Sequence, residues 1–144
     1  MRGIFNVKIP VSDLPRSRDW YERVLGFEVE LEFPDESGVV RGVAGHLPGV
    51  EGTYVSLREN PTSAAGLSGA DVLGLSIADR SAAEAWAARF DELGIDHSPV
   101  IDATIGWLLV FHDPDGIELH LYSQERHGID QTGRAGYGRR TIRA

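Results

Sequence analysis

The chain has 144 residues, enough for one ordinary domain with a real core and no covalent staples. Its net charge of −8 argues against non-specific binding to nucleic acid or an anionic membrane, and 42% hydrophobic with 25% charged residues is the balance of a globular protein in water. The absence of cysteine excludes disulfides, thiolate metal sites and thiol nucleophiles, and the opening MRGIFNVKIPV has no apolar run of signal-peptide length, so the expected location is cytoplasmic with no spanning segment.

Residues 4–9 are short and apolar-rich and read as a first strand. Ser12-Asp13 can cap a helix beginning near Leu14-Pro15, and Pro suits a first helical turn. Trp20, Tyr21, Val24 and Leu25 fall on one helical face, and Gly26 supplies a left-handed stop. Phe27, Val29, Leu31 and Phe33 then alternate with Glu28, Glu30 and Glu32, the pattern of a strand with one wet face. Val39 to Ala44 and Thr53 to Arg58 are further strands. The stretch Asn60 to Ala70, rich in Pro, Ser, Gly and Ala, reads as a linker. Val72 to Ile77 is the next strand. A second helix opens at Asp79 or Ser81, places Ala83, Trp86, Ala87, Phe90 and Leu93 on one stripe, and stops at Gly94. Ile95 to Ile101, Trp107 to Phe111 and Ile117 to Tyr122 complete the strands. Between the last two, Asp113-Pro114-Asp115-Gly116 fits a type I turn, with Pro at its second position and Gly at its fourth.

Laid side by side, the halves repeat: strand, helix, glycine stop, three strands. The stops at Gly26 and Gly94 lie about 68 residues apart, longer than a solenoid period and long enough for a half-domain. The expected organisation is a single domain over residues 1–124, with module one at 1–60, the linker at 61–70 and module two at 71–124. The open alternative is two unrelated βα units in one α+β sandwich. From Glu125 to Ala144 the chain turns Gly/Arg-rich: Arg126, Arg134, Arg139, Arg140 and Arg143 are interleaved with Gly128, Gly133, Gly136 and Gly138. With so little apolar surface this tail is expected to be disordered or to lie across a partner subunit. A nucleic-acid role for it sits badly with the acidic body.

Three segments resemble the vicinal-oxygen-chelate superfamily, which includes glyoxalase I, extradiol dioxygenases and bleomycin-binding proteins. Val11-Ser12-Asp13-Leu14 through Trp20-Tyr21-Glu22-Arg23-Val24-Leu25-Gly26-Phe27 resembles its first-module signature. Ala85-Trp86-Ala87-Ala88-Arg89-Phe90 through Leu93-Gly94 resembles its second-module helix, and Phe111-His112-Asp113-Pro114-Asp115-Gly116-Ile117-Glu118-Leu119 its closing hairpin. The resemblance runs from about residue 4 to 123. It implies an α+β fold in which paired βαβββ modules form a curled, cup-shaped mixed sheet with helices outside. It also implies a divalent metal in the cup, held by His, Gln or Glu from the opening and closing strands and acting as a Lewis acid on two neighbouring substrate oxygens. Carried over by position, the ligands become Asn6, Ser56, Val72 and His120. A stable catalytic site needs about three suitable protein ligands, and this set offers one good one. No tightly bound metal or other cofactor is expected; a divalent metal is the alternative.

Period-two alternation places Glu118, His120 and Tyr122 on one face of the last strand, Asn6 and Lys8 together on the first, and Tyr54, Ser56 and Arg58 together on the fourth. By the resemblance these faces line the cup. His120 is then a candidate general base tuned by Glu118, with Asn6, Lys8, Tyr54, Ser56, Arg58, Trp107 and Tyr122 as ligand-binding candidates. The plainer reading of the last strand is a wet face with Leu119 and Leu121 buried behind it, and Lys8 fits a rim position with its head in solvent. His46, His97 and His112 read as surface residues, and Trp20 and Trp86 as helix-to-sheet core. No phosphate loop follows from the Gly-x-Ser and Gly-x-Gly fragments, and no nucleophile elbow is present. Two functions remain open. One is a metal-free small-molecule-binding protein of the bleomycin-resistance type. The other is an enzyme of the same superfamily, a lyase, isomerase or dioxygenase that is either metal-dependent with unusual ligands or metal-free with His120 as base. A homodimer is expected, built from a continuous sheet or by module exchange, with no nucleic-acid or membrane partner.

Overall fold

A computed structural model describes residues 1–139 and 141. The elements run β1 (Asn6–Val11), α1 (Leu14–Leu25), β2 (Glu28–Pro34), β3 (Val40–His46), β4 (Tyr54–Glu59), α2 (Pro61–Leu67), β5 (Asp71–Ile77), α3 (Arg80–Leu93), β6 (Ile101–Asp102), β7 (Gly106–His112) and β8 (Glu118–Arg126). No helix among the described residues is long and apolar enough to cross a membrane.

The repeat is real at the level of topology. One sheet has the order β1-β4-β3-β2 and the other β5-β8-β7-β6, so corresponding strands take corresponding places. In the first sheet β1 runs parallel to β4 while β3 is antiparallel to both neighbours, which makes it mixed. In the second, Glu118 N donates to Ala70 O and Glu125 N to Ala78 O, both at 2.9 Å, so β5 and β8 rise together. The two helices begin alike. Asp13 and Asp79 are N-caps, accepting from Arg16 N at 3.0 Å and Ala82 N at 2.8 Å. A glutamate on the last strand of each module then reaches the first helical turn: Glu59 to Leu14 N at 3.2 Å, and Glu125 to Arg80 N at 3.1 Å. Each carboxylate faces the positive end of a helix. Gly26 and Gly94 close the helices with φ of 72° and 66°.

The structure corrects the expected sheet. Strand pairing does not produce one curled, cup-shaped sheet; it produces two separate four-stranded sheets, neither of them closed. The edges explain why. β2 ends in Pro34, carries Glu28, Glu30 and Glu32, and breaks its register between Val29 and Leu31, all features that discourage further pairing. β6 is two residues long, preceded by Pro99, which has no amide to donate. The expected strand from Ile95 to Ile101 is thereby reduced to a single bridge from His97 to Phe111 and the start of β6.

The register break is a β-bulge in which Val29 faces Gly45 and Leu31 faces Ala44, leaving Glu30 between them. It overturns the simple alternation read for this strand. Beyond the bulge, Leu31 and Phe33 turn away from α1, and Glu32 takes the helix side, where Arg18 of α1 meets it at 2.7 Å. Gly45 makes the close approach feasible. A Cβ there would lie 1.9 Å from the carbonyl oxygen of Glu28.

The chain forms two compact units. One comprises Met1–Ala70 with His112–Glu118, the other Asp71–Phe111 with the chain from Leu119 on. The linker stretch carries α2, capped by Asn60, whose side chain accepts from Ser63 N at 3.0 Å. In the first unit Trp20, Tyr21, Val24 and Leu25 of α1 are all buried, with Ile9, Val11, Val43 and Leu57. In the second, Phe90 of α3 packs on Phe111 with ring centroids 4.7 Å apart, and Leu109, Leu119 and Leu121 are buried as well. Among the described residues, the C-terminal segment makes specific contacts with the end of β6 and the loop after it. Gln131 is buried and donates to Asp102 O at 3.0 Å and Ala103 O at 3.1 Å, and Arg134 holds Gln131 Oε1 at 2.7 Å. Arg140 and Arg143 lie outside the described residues.

The Asp113-Pro114-Asp115-Gly116 turn belongs to the first unit. Asp113 is buried; its carboxylate accepts from the Tyr21 hydroxyl at 2.9 Å, Asp115 N at 2.9 Å and Ile117 N at 3.0 Å. Asp115 accepts from Ser12 N at 3.0 Å, from the Ser12 hydroxyl and from Arg16 at 3.3 Å. Burial pushes the Asp113 carboxyl above the usual aspartate value, an effect that the Tyr21 hydroxyl and the two amides oppose without cancelling. A carboxyl whose folded-state pKa is raised binds its proton more tightly in the native state, so its contribution to stability falls as pH rises through that window. Relative to Asp113→Asn, which does not titrate, the wild-type protein is therefore expected to gain stability as pH is lowered from neutral toward the usual aspartate value. Urea unfolding of both proteins at a series of pH values measures this, and a flat or opposite difference refutes it.

Candidate functional site

The β8 strand alternates as read. Leu119 and Leu121 are buried, and Glu118, His120 and Tyr122 are half-buried on the other face. A buried leucine on each side of His120 fixes its direction, since slipping one residue would drive the imidazole into the α3 core. His120 Nδ1 lies 3.5 Å from Asp71 Oδ2 at the start of β5, and His112 Nε2 lies 3.6 Å from Glu118 Oε1. Asp71, Glu118 and His120 each present a ligand atom, all within 4.8 Å of one another.

The remaining candidates fall into separate environments. On the first sheet the register sets Asn6 beside Tyr54, Lys8 beside Ser56, and Arg58 beside Pro10. Ser56 is buried and its hydroxyl donates to Asn6 Oδ1 at 3.0 Å. Lys8 is exposed, and the Arg58 guanidinium sits 4.5 Å over the Phe33 ring. On the second sheet the Tyr122 hydroxyl accepts from Ile105 N at 3.1 Å and Gly106 N at 3.4 Å. Gly106 has no room for a side chain, because a Cβ would meet the Tyr122 ring at 2.9 Å and the Ser123 carbonyl oxygen at 2.8 Å. Trp107 is not brought to the His120 face. It shares the α3 side of β7 with Leu109 and Phe111, with Arg80 at 4.6 Å over its ring and His127 at 5.4 Å.

Two features escaped the sequence reading. Asp71 is one: the position assigned from the resemblance was Val72, whose side chain is partly exposed and offers no donor. The strand begins one residue earlier, and a carboxylate at its first position was the available signal. The other is the setting of His46, read only as a surface residue. It ends β3, with its ring 4.5 Å from that of Tyr54 and its Nε2 2.8 Å from Glu30 Oε2. The nearby Glu30 carboxylate raises the Tyr54 phenol above its usual value, keeping it protonated. His97 is also less exposed than expected, tucked beside Phe90 with Nδ1 2.6 Å from Ser98 O, and its basicity rises chiefly through that carbonyl.

The donor chemistry differs between modules. Two carboxylates and an imidazole suit a borderline or hard divalent ion, with coordination positions left for substrate oxygens. In the first module, Asn6 and Ser56 form a neutral pair that fits such an ion poorly. An ion held by Asp71, Glu118 and His120 would supply Lewis-acid polarisation of a bound oxygen.

Paired βαβββ modules with polar clusters on their strand faces define a vicinal-oxygen-chelate protein. The sequence profile of the Glyoxalase/Bleomycin resistance protein/Dioxygenase superfamily matches residues 3–121, and the chain belongs to this family. TnmS3, an antibiotic binding protein from Streptomyces sp. CB03234, is similar in structure at 26% identity and a TM-score of 0.70, over 85% of this chain and 96% of that one. A glyoxylase/bleomycin resistance protein/dioxygenase domain from Frankia sp. EAN1pec shares the fold at 24% identity and a TM-score of 0.69, over 85% of this chain and 98% of that one. MhqA of Bacillus subtilis (strain 168), named as a ring-cleaving dioxygenase, is 26% identical over 130 residues, 87% of this chain; the chain spans 41% of that relative's length.

Three ligands on one module, without support from Asn6 or Ser56, predict weak metal binding. Protein purified without added metal is expected to carry less than one divalent ion per chain by elemental analysis. Titration with Mn, Fe, Ni and Zn should then reveal a weak site that Asp71→Ala or His120→Ala removes and Asn6→Ala leaves intact. A stoichiometric ion that survives purification and depends on Asn6 would contradict this.

Proposed function

We propose that the protein binds a planar or polar small molecule without transforming it, and that its metal site is vestigial. The observation that carries this reading is the Ser56–Asn6 hydrogen bond. At two positions where the family's metal ligands are expected, the side chains are neutral and bonded to each other. The likeness to an antibiotic binding protein supports it. The candidate ligand-contacting groups form two separate sets: Asn6, Lys8, Tyr54, Ser56 and Arg58 on the first sheet, and Glu118, His120 and Tyr122 on β8. Trp107, stacked on the α3 side, is left out of the set.

A specific observation favours a second reading. Asp71, Glu118 and His120 form a ligand-competent group, so an enzyme using a metal there, or His120 as general base beside Glu118, is the alternative. The family name and the ring-cleaving relative put lyase, isomerase and dioxygenase chemistry in range, as proposals only.

The test titrates a panel of planar aromatic natural products against tryptophan fluorescence, followed by chromatography of the recovered ligand. The expected result is saturable binding with the ligand returned unchanged. His120→Ala should weaken binding by about tenfold or more with little loss of stability, whereas Leu119→Ala should cost about 2–5 kcal/mol of stability by leaving a core cavity. Product formation, or oxygen uptake with a catechol after loading with Mn or Fe, would replace this reading with the enzymatic one.

We also propose a homodimer, the assembly the family resemblance implies. Light scattering is expected to give twice the chain mass at micromolar concentration. A monomer mass from micromolar to millimolar protein would reject it.

A further inference from the structure

The face of the first sheet that turns away from α1 carries a second group of side chains, built by the β2 bulge. A regular strand would put Glu30 on the opposite face from Leu31 and Phe33; the bulge places all three on this one. Gly45 permits it, because a Cβ at that position would meet the Glu28 carbonyl oxygen at 1.9 Å. Around the Glu30 carboxylate the chain gathers aromatic rings. The Tyr54 hydroxyl donates to Oε1 at 3.4 Å, and His46 Nε2 lies 2.8 Å from Oε2. The Tyr54 ring has His46 at 4.5 Å and Phe5 at 5.7 Å. Phe5 is 76% exposed and Leu31 46%, so this apolar surface meets solvent beside a carboxylate that is itself half in water.

Each chemical feature points to the same ligand class. An ionised carboxylate accepts up to about four hydrogen bonds, and the two made here leave acceptor capacity. A protonated nitrogen would use that capacity in a charge-assisted bond. The rings beside it offer the negative faces that attract a cation and the flat apolar area that stacks on an aromatic body. Farther along the same face, Lys8 pairs with Ser56 and Arg58 with Pro10, so positive charge lies at the other end and turns a cation toward Glu30. The overall charge of −8 adds a general attraction for cations.

We propose that Phe5, Glu30, His46 and Tyr54 form a subsite for the protonated amine or amidine end of a flat organic cation. This names the ligand class for the binding role above and rests on that reading.

The experiment compares benzamidinium with its neutral isostere benzamide and with benzoate, using the full chain and ligand-detected and amide NMR. Benzamidinium is expected to bind at least about tenfold more tightly than benzamide, with benzoate weakest, and to shift amide signals of β2, β3 and β4. Glu30→Gln keeps hydrogen bonds to Tyr54 and His46 and should erase the preference; Tyr54→Leu should weaken benzamidinium and benzamide alike. Unchanged amide spectra outside the patch would show that both variants fold. Equal affinity for benzamidinium and benzamide, or a preference that survives Glu30→Gln, overturns the subsite. In either case natural-product binding that depends on His120 leaves the broader role standing. A preference lost in Glu30→Gln, with no natural product bound, supports the subsite and removes the broader role.

Discussion

The Asp113 carboxylate is the group around which the first unit is organised. It is buried, raised in pKa by that burial, and tolerated because the Tyr21 hydroxyl and two backbone amides reach it. The two amides close the turn before β8, while Tyr21 ties that turn to the middle of α1. Asp115 makes the same connection at the front of the helix, through Ser12 and Arg16. From this clamp the strand leaves in one register, and Glu118 N pairs with Ala70 O. The direction of His120 follows from that register, two residues on, so the candidate chemistry of β8 depends on a hydrogen bond well outside it.

Duplication explains much of the scaffold and little of the site. Both modules use an Asp cap, a Gly stop and a glutamate on the closing strand that meets the first helical turn. These devices satisfy backbone groups that every helix leaves open, so the same solution serves twice. The strand faces carry no such common demand. One module has an Asn–Ser pair and a bulge that gathers rings around Glu30; the other has Asp71, Glu118 and His120. Equivalent positions have diverged in chemistry while their packing requirements stayed alike.

What could be read from sequence follows the range of the interactions. α1 and α3 were legible because caps, stops and the stripe Trp20, Tyr21, Val24 and Leu25 are local signals. The β8 alternation was legible for the same reason. The bulge in β2 was not, because it goes with a close approach of Gly45, on the neighbouring strand β3, to Glu28, and with it went the grouping of Glu30, His46 and Tyr54. α2 was hidden by a composition that reads as a linker, although Asn60-Pro61 is a sound helix start. The curled sheet came from resemblance instead of from local pattern, and the edges at β2 and β6 contradict it. Asp71 was missed by one residue, the margin by which strand ends are ordinarily uncertain.

The partnership between Tyr21 and Asp113 also bears on how the chain reaches its folded state. Residues 1–70 are synthesised before residue 113, so the Tyr21 hydroxyl and the Ser12 amide are made before the carboxylates that meet them. The early module is thus an unfinished structure awaiting a short segment made late. Dividing the gene at the linker would not yield two independent halves, because His112–Glu118 completes the first unit from within the second repeat.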